Sequence, residues 1–439
     1  MSKTMSKTIK GLFDFIEASP SQFHVVENER QLLLEAGFTE LFEGQAWKLK
    51  KGGNYFVTRN GSSILAFRMP KEDYKSFMIM ASHSDSPTFR IKENPEMKEG
   101  EYVKLNVEKY GGMLMAPWFD RPLSVAGRLI VKTKDGKIET RLVKIDKDLC
   151  MLPSLAIHMN REANDGYKYN AQKDMLPLFT MNENCKLKEI VAKEVGVDSK
   201  DILGDDLFLY NRDKGSLWGA EDEFISIGRL DDLQCSYDSL IGILNAKNTK
   251  DSIAVHVTFD NEEVGSGTKQ GADSTFLYDT MVRINEAMGG DNSKLLSAIS
   301  ASFMVSADNA HSIHPNYAEK SDPTNKVFMN KGIVVKFNAN QKYMTDGLSF
   351  GIFTELCNRA KVPYQTFVNR SDMAGGSTLG NISNAHVSIN GVDIGLAQLA
   401  MHSSYETAGA KDTEYLVKIA KYFYESSIEI EGSSSYTLK

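Results

Sequence analysis

The sequence predicts an α/β protein: a mostly parallel core sheet covered by helices, interrupted by an inserted β-rich unit. Three observations carry this. Short apolar runs of strand type alternate with helical stretches on both sides of the chain's middle, the pattern of a parallel sheet with covered faces. The stretch from 89 to 223 lacks that alternation and is dominated by hairpin chemistry. A chain of 439 residues also exceeds the length of roughly 250 to 300 over which one core keeps growing, so two units are expected. The expected division is 1–88 and 224–439 for the core unit, with 89–223 inserted as a dimerisation or oligomerisation unit.

The elements follow in chain order. Ile9, Leu12, Phe13 and Ile16 fall at helical spacing, which predicts an amphipathic packing helix ending near Ser19 and Pro20. Asp14 and Glu17 interrupt any secretory apolar stretch there. The run SFMIMAS (76–82) reads as the first core strand. The inserted unit opens with EYVKLNVEKYGG and continues through SVAGRLIVKTKDGKIETRLVKI, whose Lys-Asp-Gly-Lys turn marks a hairpin. Beyond it, helical stretches at 236–248 and 349–361 alternate with strand runs at 252–259, 300–306, 332–337, 364–368 and 393–401. The only low-complexity features are a duplicated MSKT and a terminal GSSS, and no solenoid repeat is present.

Composition narrows the function classes. A hydrophobic content of 41%, a charged content of 25% and a mean hydropathy of -0.32 fit an ordinary globular protein. The net charge of -7 and the pI near 5.7 argue against nucleic acid or an anionic membrane as partner. No apolar run reaches the roughly 18 residues that would span a bilayer. The cysteines Cys150, Cys185, Cys235 and Cys357 are far apart and form no C-x-x-C pair, so a cytoplasmic protein without disulfides or a cysteine zinc site is expected.

The chemistry is concentrated at strand ends. In an open parallel sheet, ligands bind beyond the carboxyl ends of the strands. Five apolar runs here end in residues of metal-ligand type: MIMASHSD gives His83 and Asp85, SIGRLDDL gives Asp231 and Asp232, VTFDNEEVGS gives Glu262 and Glu263, FMVSADNAH gives Asp308, and AQLAMHSS gives His402. Two histidines with several carboxylates suit zinc or a similar divalent ion with an open water position. Adjacent glutamates then divide the work: one binds metal while the other takes a proton from the activated water.

Other eye-catching residues have plainer readings. His256 lies on the strand face opposite Val255 and Val257 and is expected to be packed. His24 and His386 lack companion ligands, and His311 and His314 are left unassigned. The GGSTLG loop lacks the lysine of a phosphate loop, so its glycines are expected to let backbone approach substrate. Met113, Met115 and Trp118 are expected to pack.

The stretches ASHSDSPTFRIK, WFDRPLSVAGR, LPSLAIHMN, GRLDDL, DNEEVGS, SADNAHSIHPNY, KFNANQKYMTDG, GGSTLGNI and LAMHSSYETAGAKD, in this order, resemble the aspartyl aminopeptidases over nearly the whole chain. These are cytoplasmic dinuclear-metal exopeptidases. The resemblance implies two divalent ions per subunit, zinc first with manganese and cobalt open, bridged by Asp231 next to a cis peptide at Asp232. It further implies that His83 and Asp308 complete one site and Glu263 and His402 the other. A hydroxide shared by the two ions would attack the peptide, with Glu262 as general base and Asp85 orienting His83. His158 matches a histidine that reaches a neighbouring subunit's site, within a tetrahedral dodecamer whose chamber admits only short peptides. Lys336 and Tyr343 match the pocket that favours N-terminal Asp or Glu. This chain carries Gln341-Lys342-Tyr343 where an arginine is common, and its 370–378 loop differs too. A related exopeptidase of broad or leucine-type specificity, and a metal-stabilised oligomeric scaffold without catalysis, are the alternatives.

Overall fold

The structure, a computed structural model, describes residues 5–432 and 435–439. The first MSKT copy and Ser433 and Ser434 of the GSSS run lie outside the described residues. A nine-stranded mixed sheet forms the centre, in the spatial order Thr39–Leu41, Asn54–Arg59, Ser63–Arg68, Ser252–Phe259, Ser76–His83, Phe303–Ala307, Asn390–Gly395, Ile333–Phe337, Tyr364–Val368. The four strands from Ser252–Phe259 to Asn390–Gly395 run parallel. Antiparallel pairings appear only toward the flanks, at the 54–68 hairpin, at its seam with Ser252–Phe259, and between Ile333–Phe337 and Asn390–Gly395.

The central strands are buried on both faces, which their period-two alternation explains. Met78 and Met80 point into the core beneath the helices Leu230–Asn245, Gly347–Ala360 and Asp412–Tyr424, alongside Leu240, Phe353, Leu416 and Phe423. Phe77, Ile79 and Ala81 point the other way, onto Phe276, Met281 and Leu295 of the helices Phe276–Ala287 and Asn292–Ser300. Each fully buried aromatic or aliphatic side chain of this kind contributes about 1.5–3 kcal/mol. The sheet is thereby fixed in register, and so is whatever projects from its carboxyl edge.

A second, six-stranded antiparallel sheet is built from Ile138–Lys144, Leu123–Lys132, Ile202–Asn211, Thr88–Glu99, Tyr102–Tyr110 and Leu178–Thr180, over a core of its own. The Lys-Asp-Gly-Lys segment is its hairpin turn, with Lys132 opposite Ile138. A third sheet joins Ser216–Trp218 and Phe224–Ile227 to Glu406–Gly409, Ala397–Leu399 and Ala310–His311. Residues 216–218 therefore pair with the chain that re-enters the core, not with the six-stranded sheet.

The first helix spans Lys7–Ala18, is capped by Ser6 and Ser19, and buries Ile9, Leu12, Phe13 and Ile16 as the spacing predicts. Two strand expectations shift. The run at 300–306 begins as the end of a helix, and its strand is Phe303–Ala307. The run at 393–401 is split: Asn390–Gly395 belongs to the main sheet and Ala397–Leu399 to the third. At the break, a Cβ on Gly395 would lie 2.0 Å from the Asp308 carbonyl oxygen, so only glycine lets these two segments cross. Among the described residues, no helix is long and apolar enough to cross a membrane.

Candidate metal centre

Strand pairing brings the candidate residues together. His83 ends its strand directly opposite Phe259, so the segment Asp260–Glu263 emerges beside it. Asp308 follows Phe303–Ala307 on the other side of the same central strand. Asp231 and Asp232, joined by a cis peptide bond, open the helix Leu230–Asn245. His402 follows the short strand Ala397–Leu399 with a left-handed φ of 65°.

Asp231 stands in the middle. Its Oδ1 lies 3.4 Å from His83 Nε2 and its Oδ2 lies 3.3 Å from His402 Nε2. His402 Nε2 is also 3.5 Å from Glu263 Oε2. Potential ligand atoms of His83, Asp231, Asp232 and Asp308 fall within 4.8 Å of one another, as do those of Asp231, Glu263 and His402. Asp231 Oδ1, Asp232 Oδ1 and Glu263 Oε1 are buried and accept no hydrogen bond. Buried anionic oxygens without donors are costly unless a cation sits among them, and two imidazoles with carboxylates are a donor set that zinc accepts.

The electrostatics agree. Burial pushes the Glu262 carboxyl up to about 8, with Asp308, Asp85 and Asp231 adding to the rise and His83 opposing it. Burial and the neighbouring Asp231 carboxylate likewise push Glu263 well above the usual range. Asp231 moves the opposite way, because His402 and His83 outweigh its burial. Without a cation the surrounding carboxyls are driven toward their protonated form, while Asp231 is held ionised.

Three carboxylates, one of them Asp232 of the first group, hold the backbones of the candidate ligands. Asp85 Oδ1 accepts the Glu262 N–H at 3.1 Å, its Oδ2 accepts the Glu263 N–H at 3.2 Å, and Oδ1 lies 3.3 Å from His83 Nδ1. Asp232 Oδ2 accepts the His83 N–H at 3.1 Å. Glu406 accepts the N–H groups of Asp231 at 3.0 Å and His402 at 2.7 Å. Sequence reasoning missed Glu406, Tyr110 and Asn261, the last two of which bond to each other beside Asp85. Their only signals were an acidic residue four positions after His402, a tyrosine before two glycines, and an asparagine before the glutamate pair.

The remaining candidates are placed as follows. Lys336 is buried, donates to the Asn309 carbonyl at 2.9 Å, lies 3.7 Å from Asp308 Oδ2, and faces the ring of buried Tyr343 with its Nζ 5.6 Å from the centroid. His158 stands in an exposed turn and joins none of these groups within its own chain. His256 is a core histidine, 3.1 Å from Glu29 and 2.8 Å from the Ser239 hydroxyl. His24 meets the Ser21 hydroxyl, His386 meets Asp273, and His311 packs edge-on to Phe367. Gly380 of GGSTLG lies against Ser306 of the main sheet, where a Cβ would come within 2.6 Å, so close packing accounts for it. Trp118 packs at right angles on Phe89, with Met113 and Met115 against the same core.

A helix-covered mixed sheet with such a cluster at its carboxyl edge defines a metal-dependent hydrolase. The family model for aminopeptidase I zinc metalloproteases (M18) matches residues 15–424, and the chain belongs to that family. A probable M18 family aminopeptidase 2 of Clostridium acetobutylicum is 47% identical over 425 residues, covering 94% of this chain and 98% of the relative. Its counterpart in Clostridium novyi is 47% identical over 431 residues, covering 96% and 99%. Among solved structures, the Ape4 and Nbr1 complex contains a chain with a TM-score of 0.92 at 35% identity, covering 97% of this chain and 88% of that one. The Saccharomyces cerevisiae mApe1 dodecamer gives a TM-score of 0.84 at 28% identity, covering 95% and 96%. The chain is an M18 aminopeptidase, a zinc metalloprotease by family.

Proposed function

We propose that this aminopeptidase works with two divalent ions, zinc first, and removes N-terminal Asp or Glu from short peptides. The observation that carries the dinuclear reading is Asp231, whose two oxygens face two different histidines. His83 and Asp308 would hold one ion, Glu263 and His402 the other, and Asp231 both. When bound, such ions polarise the scissile carbonyl and acidify water. Glu262 supplies the base: among the described residues no protein donor engages its carboxyl, and its backbone N–H is held by Asp85. It takes the proton of the attacking water and returns it to the leaving amine.

Lys336 supports the acidic preference as a buried cation beside the cluster. A broader or leucine-type preference is the second reading, and one observation favours it: the Lys336 ammonium is already engaged by Asn309 and Asp308. Assembly into a dodecamer is supported by the mApe1 dodecamer of similar fold, and His158, exposed here, would serve a neighbouring subunit's site.

Hydrolysis of matched Asp, Glu, Leu, Ala and Lys aminoacyl chromogenic substrates, before and after chelation and restoration with zinc, manganese or cobalt, tests the reading. Metal-restored cleavage strongest for Asp or Glu is expected. A Leu or Ala maximum replaces the specificity, and no cleavage with any metal leaves a scaffold.

A further inference from the structure

Asp85 meets four groups, and one of them comes from outside the core unit. Besides His83 and the N–H groups of Glu262 and Glu263, its Oδ2 accepts the Tyr110 hydroxyl at 2.7 Å. Tyr110 ends the strand Tyr102–Tyr110 of the six-stranded sheet and packs edge-on to Phe208 of the same sheet. The direction of its proton is determined. Asn261 Nδ2 donates to the Tyr110 oxygen at 2.8 Å, and this amide orientation is matched by Thr268 and Gln270 donating to its Oδ1, each at 2.8 Å. The phenol oxygen is thus filled by a donor and must give its own hydrogen to Asp85. Burial, with the Asp85 and Asp260 carboxylates, raises the phenol far above its ordinary range, so it stays a donor.

The chain leaving Tyr110 continues along the same half of the centre. Gly111 has a left-handed φ of 78°, and a Cβ there would lie 3.1 Å from the Glu263 Cβ. Three residues on, the Leu114 N–H donates to the His402 carbonyl at 3.0 Å. One short segment from the six-stranded sheet therefore contacts Asp85, Glu263 and His402.

We propose that Tyr110 is a positioning residue: through its hydrogen bond to Asp85 it sets the backbone of Glu262 and Glu263, and so ties the six-stranded sheet to the catalytic centre. The inference rests on the dinuclear reading with Glu262 as base. A carboxylate with four partners is held in one orientation, and losing the shortest of these hydrogen bonds lets it turn, carrying both glutamate amides with it.

The test is Tyr110→Phe in the full chain, with zinc release to a chelator measured beside steady-state kinetics and melting. The expected result is a kcat lower by about tenfold to a hundredfold, a KM changed by less than about twofold, faster zinc release and unchanged melting. Asn261→Gly, which keeps the left-handed backbone but frees the phenol to rotate, is expected to give a smaller change in the same direction. Combined with Asp85→Asn, Tyr110→Phe should add little, because both act through one carboxylate. Native kcat and native zinc release, a loss that adds in full to that of Asp85→Asn, or a loss that only follows a lower melting temperature would each overturn the proposal. Failure of the dinuclear reading shows separately, as native chain whose cleavage no metal restores.

Discussion

His83 and His402 aim their Nε2 atoms at opposite oxygens of one buried carboxylate, Asp231, at 3.4 and 3.3 Å. If that carboxylate is shared by two ions, its removal and the removal of one histidine must differ in stoichiometry. Asp231→Ala is expected to abolish tight binding of both ions, whereas His402→Ala should retain about one per chain. Elemental analysis after gel filtration decides the point. Asp231→Ala protein that still carries two ions would remove the bridge.

Among the described residues the Glu262 carboxyl, which groups with the ligand atoms of His83 and Glu263, accepts from no protein donor, while Glu263 Oε1 is buried without a hydrogen bond and its Oε2 lies 3.5 Å from His402 Nε2. The two glutamates should therefore fail differently. Glu262→Gln is expected to keep its metal and lower kcat by about 10²- to 10⁴-fold, the usual range for a lost general base. Glu263→Gln should lose metal first. Near-native turnover by Glu262→Gln at full metal content would assign the proton transfer elsewhere.

Part of the candidate cluster was legible because parallel register brings apolar-run ends together: Phe259 opposite His83 places Glu262 and Glu263, and Asp308 follows the neighbouring strand, whereas Asp231 and His402 come in after the third-sheet strands Phe224–Ile227 and Ala397–Leu399. The flanking antiparallel strands were less legible. The hairpin Asn54–Arg59 with Ser63–Arg68 sits beside the central strands although nothing in its local pattern distinguishes an edge from a centre. Glu406 and Tyr110 left only faint signals, since their work depends on partners distant in sequence, the Asp231 N–H for Glu406 and the Asp85 carboxylate for Tyr110. The break at Gly395 was hidden too, because both halves of the 393–401 run are apolar and only the crossing with Asp308 separates them.

Stripping the metal should expose a pH dependence whose sign follows from burial. Burial pushes Asp260, Glu262 and Glu406 each to about 8 and Asp412 to about 7, so the folded chain holds protons that the unfolded chain releases. Their stabilising effect is full below the ordinary carboxyl range and is lost as pH rises through those values. His24, lowered to about 4 by burial, works against them only below its unfolded value of 6.5. Between pH 6.5 and 8 the chelated protein is therefore expected to melt at progressively lower temperature, with zinc reducing the slope. A melting temperature that climbs across this window in the chelated protein contradicts the assignment.

Gly111 crosses Glu263 with a φ of 78°, so Gly111→Ala meets both a backbone penalty and a neighbour 3.1 Å away. The left-handed conformation alone costs about 1–2 kcal/mol for a residue with a Cβ. The expected outcome is a modest fall in melting temperature with weakened metal retention, read by calorimetry and chelator competition. A fall in melting temperature with native metal retention would mean that the segment moves without disturbing Glu263.

His158 is exposed and apart from its own chain's cluster, so its contribution can be tested by subunit mixing. His158→Ala should lose activity while retaining metal, and Glu262→Gln is inactive for its own reason. If His158 acts on a neighbour, a hybrid oligomer brings an intact Glu262 from one subunit together with an intact His158 from the other. Random co-assembly in equal amounts would then restore roughly a quarter of the sites, because two independent choices must both fall correctly. If His158 acted within its own chain, each site of the hybrid would still carry one of the two lesions. Co-expression of the two variants with distinct tags, followed by assay of the doubly purified oligomer, separates these cases: recovered turnover places His158 in the partner's site, and none places it elsewhere.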